Sequence, residues 1–419
     1  MVAVETIGWR KHGSAFAAKI LIVLAACLLL PASARPASHH HRYHLRRAHV
    51  TPYHAALLED ADSGQVLFEV NEGLEWPPAS MAKMMLLLVT ERQIQAGRLH
   101  LSDLVRISRR VAATGGSRLG LRQGQLYPLG ELMKAALIRS ANDAAVAIAE
   151  TVGRGSVERC VQMMNEQARM LGLTGTVYRT VDGLPPRPGH DVDLTDAADL
   201  ARLARELIFR TNLLKWSELE AAPFDGGVAI LRNTNHLIGH FPGCDGLKTG
   251  FTFKSGFNLT ATAKRGNLRL IAVVLGAPSN RERFHQAALL MNWGFDNFTR
   301  LAVLQRGQVL PVHVRTNTGS IIEPVAGSSL TLLLPRTEVP HLRFVYAIPS
   351  LLTGPIVPGA SLGHVQLTDQ GRILGKVIAV CPLETTTLRT DTEASRPDTD
   401  QAVRGIVKAV PSAPTEDAQ

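Results

Sequence analysis

The sequence predicts an α+β protein: an antiparallel sheet with helices forms one large domain, and a small all-β domain follows it. Three observations carry this. Between Pro77 and about residue 209, apolar residues recur at helical spacing in several successive segments, which period two would not produce. On both sides of that stretch lie strand-like runs, Ala55–Leu58 and Val66–Phe68 before it, Leu247–Gly250, Phe257–Ala263 and Leu268–Leu275 after it. Beyond about Thr299 the texture changes to short apolar runs broken by Gly, Pro and Asn, as in a small β domain. A chain of 419 residues has room for two or three domains.

The first 34 residues form a separate unit. Arg10, Lys11 and Lys19 precede the apolar run Ile20–Leu30, and Ala32-Ser33-Ala34 is a small-residue cleavage site. That is the form of a secretory signal peptide, with an apolar run too short to span a membrane. Leu24-Ala25-Ala26-Cys27 also has the form of a lipoprotein box, but Leu28-Leu29-Leu30 behind it favours cleavage after Ala34. Removal of 1–34 takes away three basic residues and Glu5, so the net charge falls from +9 to about +7. A basic exported protein suits an acidic surface such as a cell wall or anionic lipid. No basic-aromatic groove pattern points to nucleic acid. Cys160, Cys244 and Cys381 remain; an odd, widely spaced set is neither a disulfide framework nor a metal site, though one pair could be bridged.

Residues 35–50, with His39-His40-His41 and Arg46-Arg47, read as a flexible basic leader. The region 51–299 then forms the large domain. Its first strands make a hairpin turning at Ser63-Gly64. Pro77 and Pro78 suit the start of a helix, where a missing N–H costs little. From Met81 to Val89 that helix is apolar nearly all round, so it is buried. Pro128 opens a helix ending near Arg139; Asn142 and Asp143 suit the N-cap of another over Ala144–Glu150; further helices follow over about 156–171 and 195–209. The turn Phe241–Gly246 delivers a strand carrying Lys248-Thr249-Gly250, and Arg265-Gly266-Asn267 joins the last two strands of the domain. In the region 300–384 the strand candidates are Val309–Val314, Leu330–Leu334, Leu342–Ala347, Gly363–Leu367 and Ile373–Val380. Residues 385–419 are rich in Thr, Asp and Pro and read as a disordered tail, and Arg404–Val410 is too short for an amphipathic anchor.

Two polar groups interrupt the buried helix, Ser80 and Lys83. Three residues apart, they share one helix face and can touch. Burial lowers a lysine's pKa towards that of a useful base, and a serine hydroxyl needs such a base to become a nucleophile. The helix start adds backbone N–H groups and the positive end of the dipole. Taken alone, Ser-x-x-Lys is also what a helix cap beside a snorkelling lysine looks like. Two more elements change that: Ser140-Ala141-Asn142, 60 residues later, and Lys248-Thr249-Gly250, another 108 on. In this order, on helix start, inter-helix loop and strand, they match the active-site set of penicillin-recognising serine enzymes. Ser80 would attack an acyl carbon with Lys83 as proton acceptor. Ser140 and Lys248 would relay a proton to the leaving amine, Asn142 would hold Lys83 and the substrate amide, and Lys248 with Thr249 would bind a terminal carboxylate. Gly250 leaves room for another backbone or a ligand. The N–H groups of Ser80 and of the strand near Phe251 would form an oxyanion hole.

From about Ala55 to Cys381 the chain resembles the D-alanyl-D-alanine carboxypeptidases, the low-molecular-mass penicillin-binding proteins. Besides the three motifs, the resemblance rests on Gly115-Gly116-Ser117, Met163-Met164-Asn165, Asp182-Gly183-Leu184, Gly256-Phe257-Asn258-Leu259 and Leu270–Gly276. It implies a β-lactamase/transpeptidase-like catalytic domain, a C-terminal β domain, and removal of the terminal D-alanine from peptidoglycan pentapeptide stems through an acyl-enzyme. It also implies inhibition by β-lactams, no metal and no cofactor. Ala141 stands where the general motif carries Asp, at a variable position; Thr252-Phe253-Lys254 is unusual; and the membrane-anchoring C-terminal helix of many members is not evident. The protein is therefore expected outside the cytoplasm (periplasmic), soluble or loosely associated with membrane or wall. Endopeptidase cleavage of cross-links by the same site is the nearest alternative. A β-lactamase would need a second base, for which no Glu-bearing loop is visible, and a non-catalytic wall-binding module would have lost one of the catalytic residues, all of which are present.

Overall fold

The central sheet follows from side chains that alternate between two cores. In the computed structural model, which describes residues 52–185, 191–353 and 357–383, β1 (Ala55–Asp60) pairs with β2 (Val66–Val70). Nearly two hundred residues later β3 (Cys244–Thr252), β4 (Gly256–Arg265) and β5 (Leu268–Ala277) complete a five-stranded antiparallel sheet of order β2-β1-β5-β4-β3. Leu57, Ile271, Val273 and Leu275 face one core, Leu58, Leu270, Ala272 and Val274 the other. Two-sided burial explains why β5 reads as a continuous apolar run. β3 is an edge strand.

The first core lies under a helical layer: α1 (Ala82–Gln95), α2 (Leu129–Lys134), α3 (Asn142–Val152), α4 (Val157–Met170) and α5 (Ala197–Arg210). α1 runs through its middle, and every residue from Ala82 to Glu91 is buried. This is the physical meaning of its apolar circumference: α1 packs against α3, α4 and α5 and has no wet face in its first ten residues. α3 is likewise buried all round from Asn142 to Ala149, while α4 and α5 are amphipathic and start on side-chain caps. Ser156 accepts from the N–H of Arg159 and Asp196 from that of Asp199. The second core is closed by α6 (Asn280–Asn297), capped by Ser279 and packed through Phe284, Ala287, Met291 and Phe295.

α6 runs directly into β6 (Phe298–Leu304), which pairs antiparallel with β7 (Leu330–Pro335), so the change of texture near Thr299 falls inside a strand. Ser361–Asp369 pairs antiparallel with both Leu342–Ala347 and Arg372–Val380, and Leu301, Val303, Leu334, Val365 and Val377 share a third core. The buried Asp60 carboxylate at the end of β1 pairs with Arg300 on β6, joining the catalytic sheet to the β region. One expected strand does not form. Val309–Val314 contains Pro311, which cannot donate to a ladder; Val309 makes an isolated bridge with Val325, and a strand begins only at Val314. Cys160, Cys244 and Cys381 are all free, so no pair of them is bridged. The segments expected to be a signal peptide (1–34), a leader (35–50) and a tail (385–419) lie outside the described residues, as does Cys27.

Because α1 is enclosed, its apolar side chains carry stability. Leu87 is fully buried, and Leu87→Ala should lower the unfolding free energy by about 2–5 kcal/mol, measured by urea denaturation. A loss below about 1 kcal/mol would mean that α1 is not packed as described.

Candidate active site

Ser80 lies in a 3-10 turn, Ala79–Met81, just before α1 begins, and not within the α-helix itself. Ala79 has φ 50°, a left-handed conformation that costs an alanine free energy. Three neighbours hold the turn in place. A Cβ on Gly183 would stand 1.9 Å from the Ala79 carbonyl oxygen, and one on Gly250 would stand 2.4 Å from that of Pro78, so both glycines allow backbone to approach backbone. Asn258 on β4 donates from Nδ2 to the Pro77 carbonyl at 2.8 Å. Gly250 thus makes room for the Pro78–Ala79 backbone.

Lys83, in the first turn of α1, is fully buried. Its Nζ donates to Ser80 Oγ at 2.9 Å, Asn142 Oδ1 at 2.8 Å and the Asp182 carbonyl at 2.7 Å, which uses all three donors of an ammonium. Burial lowers its pKa to about 8, while Asp182, Asp193 and Asp143 pull the other way. The Asp182 carbonyl is held in turn. Buried Asp193 accepts from the N–H groups of Arg179 and Thr180 and from Thr180 Oγ1, and Thr180 Oγ1 accepts from the N–H of Gly183. Burial pushes the Asp193 carboxyl up to about 6 against those hydrogen bonds.

Ser140 follows a π-turn, Ala135–Arg139, and is itself left-handed at φ 64°. That extra residue per turn ends α2 abruptly and presents the buried Ser140 where a regular helix would have continued. Ala141, not Asn142 or Asp143, is the N-cap of α3. Both polar side chains are used elsewhere. Asn142 accepts from Lys83 and donates from Nδ2 to the Gly115 carbonyl at 2.9 Å. Asp143 accepts from the N–H groups of Leu119, Gly120 and Leu121, fixing the loop that starts at Gly115-Gly116-Ser117.

Lys248 on β3 is also buried. Its Nζ donates to the Thr249 carbonyl at 3.0 Å and makes no hydrogen bond to Ser140. Burial, and then the nearby charges of Lys83 and Arg283, hold its pKa well below the usual lysine value. Thr249 Oγ1 donates to Thr234 Oγ1 at 2.8 Å, and the Thr234 N–H donates to the Ile138 carbonyl of the π-turn. The structure therefore gathers Ser80, Lys83, Ser140, Asn142, Lys248, Thr249 and Gly250 around one locus. Thr234 and the Asp182 carbonyl went unrecognised in the sequence: one is an ordinary polar residue in a loop, the other a main-chain group with no side-chain signature.

A serine-bearing turn at the head of a buried helix, a buried lysine on its hydroxyl and an edge strand alongside define an active-site-serine hydrolase of the penicillin-binding class. Residues 47–279 match the profile of the D-alanyl-D-alanine carboxypeptidase family, and the chain belongs to it. It is a serine-type D-alanyl-D-alanine carboxypeptidase. It is 33% identical over 327 residues to D-alanyl-D-alanine carboxypeptidase DacF of Bacillus subtilis, covering 77% of this chain and 83% of that protein. It is 32% identical over 337 residues to DacD of Escherichia coli, covering 78% and 84%. The crystal structure of penicillin binding protein 6B from Escherichia coli is similar with a TM-score of 0.65 at 30% identity, over 82% of this chain and 100% of that one.

The clamped turn is open to test. Gly250→Ala places a methyl against the Pro78 carbonyl and should lower kcat/KM on a D-alanyl-D-alanine peptide about tenfold or more, with far-UV circular dichroism unchanged. Unaltered turnover would show that the turn does not depend on this close approach.

Proposed function

We propose that Ser80 is the acylated nucleophile of a carboxypeptidase that trims the terminal D-alanine from peptidoglycan pentapeptide stems. The observation that carries this reading is the single ammonium position of Lys83, bonded at once to Ser80 Oγ, Asn142 and the Asp182 carbonyl. When Lys83 is neutral its lone pair faces Ser80 Oγ, and the serine proton passes to it as the Oγ–carbon bond forms. The developing oxyanion lies between the N–H groups of Ser80 and Phe251. The bond from the acyl carbon to the D-alanine nitrogen breaks as that nitrogen takes a proton, with Ser140 as the group that passes it on this reading. Water then attacks the acyl-enzyme and returns the proton to Ser80. Lys248 and Thr249 supply a cation and a hydroxyl for the terminal carboxylate; charge-assisted bonds of this kind are worth roughly 1.5–3 kcal/mol.

β-Lactams, which carry a carboxylate beside a strained amide, are read as inhibitors of the same site. Penicillin-Binding Protein D2 from Listeria monocytogenes, 30% identical over 58% of this chain with a TM-score of 0.54, has been solved in an ampicillin-bound form. The enzyme acts outside the cytoplasm on this reading, delivered by the signal segment. No helix among the described residues is long and apolar enough to cross a membrane, and attachment is taken to be loose.

Labelled penicillin should attach covalently to the wild type and not to Ser80→Ala. The wild type, incubated with pentapeptide muropeptide, should yield a product lighter by one D-alanine by mass analysis. Labelling that survives in the variant would remove Ser80 from the role, and cleavage of cross-linked dimers without loss of terminal D-alanine would make the enzyme an endopeptidase.

A further inference from the structure

Arg283, in the first turn of α6, is a buried cation on the far side of β3 from the nucleophile turn, only 6% exposed. Its guanidinium packs against Phe257 and Phe284, with ring centroids 5.4 and 4.8 Å away. Among the described residues no carboxylate pairs with it, and its Nε has no hydrogen-bond partner. A buried, unpaired charge is costly, and it is tolerated where it does something that a neutral side chain would not.

What it does is visible in its remaining bonds. Nη2 donates to Asn280 Oδ1 in the same turn, and Nη1 donates to the Gly250 carbonyl at 3.0 Å and to the Asn258 carbonyl at 3.2 Å. Gly250 and Asn258 are register partners across β3 and β4, so one guanidinium nitrogen reaches both carbonyls only if both lie between the strands. The Gly250–Phe251 peptide is trans, so its N–H points the opposite way from its carbonyl, to the open edge of β3. That N–H belongs to Phe251. One peptide unit therefore has a cation on its oxygen and, on its nitrogen side, the open edge where the acyl oxygen would sit.

We propose that Arg283 is a positioning residue that strengthens the oxyanion hole through this peptide: its charge on the Gly250 carbonyl polarises the Phe251 N–H and fixes its direction. Hydrogen bonds in series polarise one another, most when one partner is charged and water is excluded. The strengthened donor faces a negative charge that exists only in the tetrahedral state, so the gain falls on the chemical step and not on substrate binding. The inference rests on the reading of Ser80 and the Phe251 N–H given above and adds the group that tunes them.

The test compares Arg283→Met, which keeps an apolar stem between the two rings, with Arg283→Lys, which keeps the charge. Arg283→Met should reduce kcat and the pre-steady-state acylation rate about tenfold or more, with KM changed less than about threefold. It should weaken binding of a D-alanine-analogue boronic acid, whose tetrahedral adduct places an oxygen in the hole, by a similar factor. Arg283→Lys should recover a substantial part of both losses. Thermal unfolding followed in parallel identifies a variant that has merely lost its fold; in that case Arg283→Gln, which keeps a donor for one carbonyl without the charge, takes its place. Equal effects on KM and kcat, boronate binding unchanged from wild type, or no recovery with lysine would each overturn the proposal. Penicillin labelling of Ser80→Ala keeps the two readings apart. If that variant still labels, the site assignment fails; if it does not and Arg283→Met binds the boronate as wild type does, only the Arg283 inference fails.

Discussion

The structure depends on where one amino group is held. Lys83 Nζ is completely buried, yet each of its three protons has an acceptor, and the three acceptors come from three parts of the chain: the Ser80 turn, the start of α3 and the segment at Asp182. A charge in a water-excluded place survives only when it is hydrogen-bonded in this way. The constraint works in both directions. The site keeps Lys83 in reach of Ser80, and Lys83 keeps the three segments together. The same burial brings its pKa down to about 8, which leaves a usable neutral fraction at physiological pH.

Around this point the main chain is packed unusually closely. The Ser80 turn contains a left-handed Ala79 and is flanked by Gly183 and Gly250, where a side chain would collide with the Ala79 and Pro78 carbonyls. Ser140 is left-handed as well and follows a π-turn. Such conformations cost free energy, and here the surrounding sheet and helices hold them: Asn258 binds Pro77, Asp143 ties down the loop at 119–121, and Thr234 joins Thr249 to the π-turn. Rigid placement of this kind is what an acyl-transfer site needs, because the oxyanion donors must point to where charge will develop and not to where it already is. Arg283 extends that logic to the other side of the sheet, where its charge reaches the site through one peptide group.

Much of the fold was legible in the sequence because its periods are strong. The apolar circumference of α1 and the apolar run of β5 follow from burial on all sides and on both faces, whereas β4 alternates Leu259, Ala261 and Ala263 with Thr260 and Thr262 although both of its faces are buried. The site motifs were legible because their chemistry requires particular side chains at fixed spacing. What escaped was written in the backbone or depended on tertiary context. Pro311 broke an expected strand, and Ala141 took the cap that Asn142 and Asp143 seemed suited to, because Lys83 and the 119–121 loop compete for those two side chains. Asp182-Gly183-Leu184 stood out in the sequence, but nothing in its side chains said that the Asp182 carbonyl would accept from Lys83. Arg283 reads as one of many surface arginines until the helix that bears it is seen against Phe257 and β3.

The most direct measurement is the pH dependence of the acylation step in single turnover. If Lys83 is the base, the active form is the neutral amine, which increases as pH rises through about 8. The acylation rate should climb about tenfold per pH unit below that value and level off above it, and Lys83→Arg, charged throughout the range, should acylate negligibly at every pH. A wild-type rate that is flat from pH 6 to 10, or that falls as Lys83 loses its proton, would contradict the account and leave the deprotonation of Ser80 to another group.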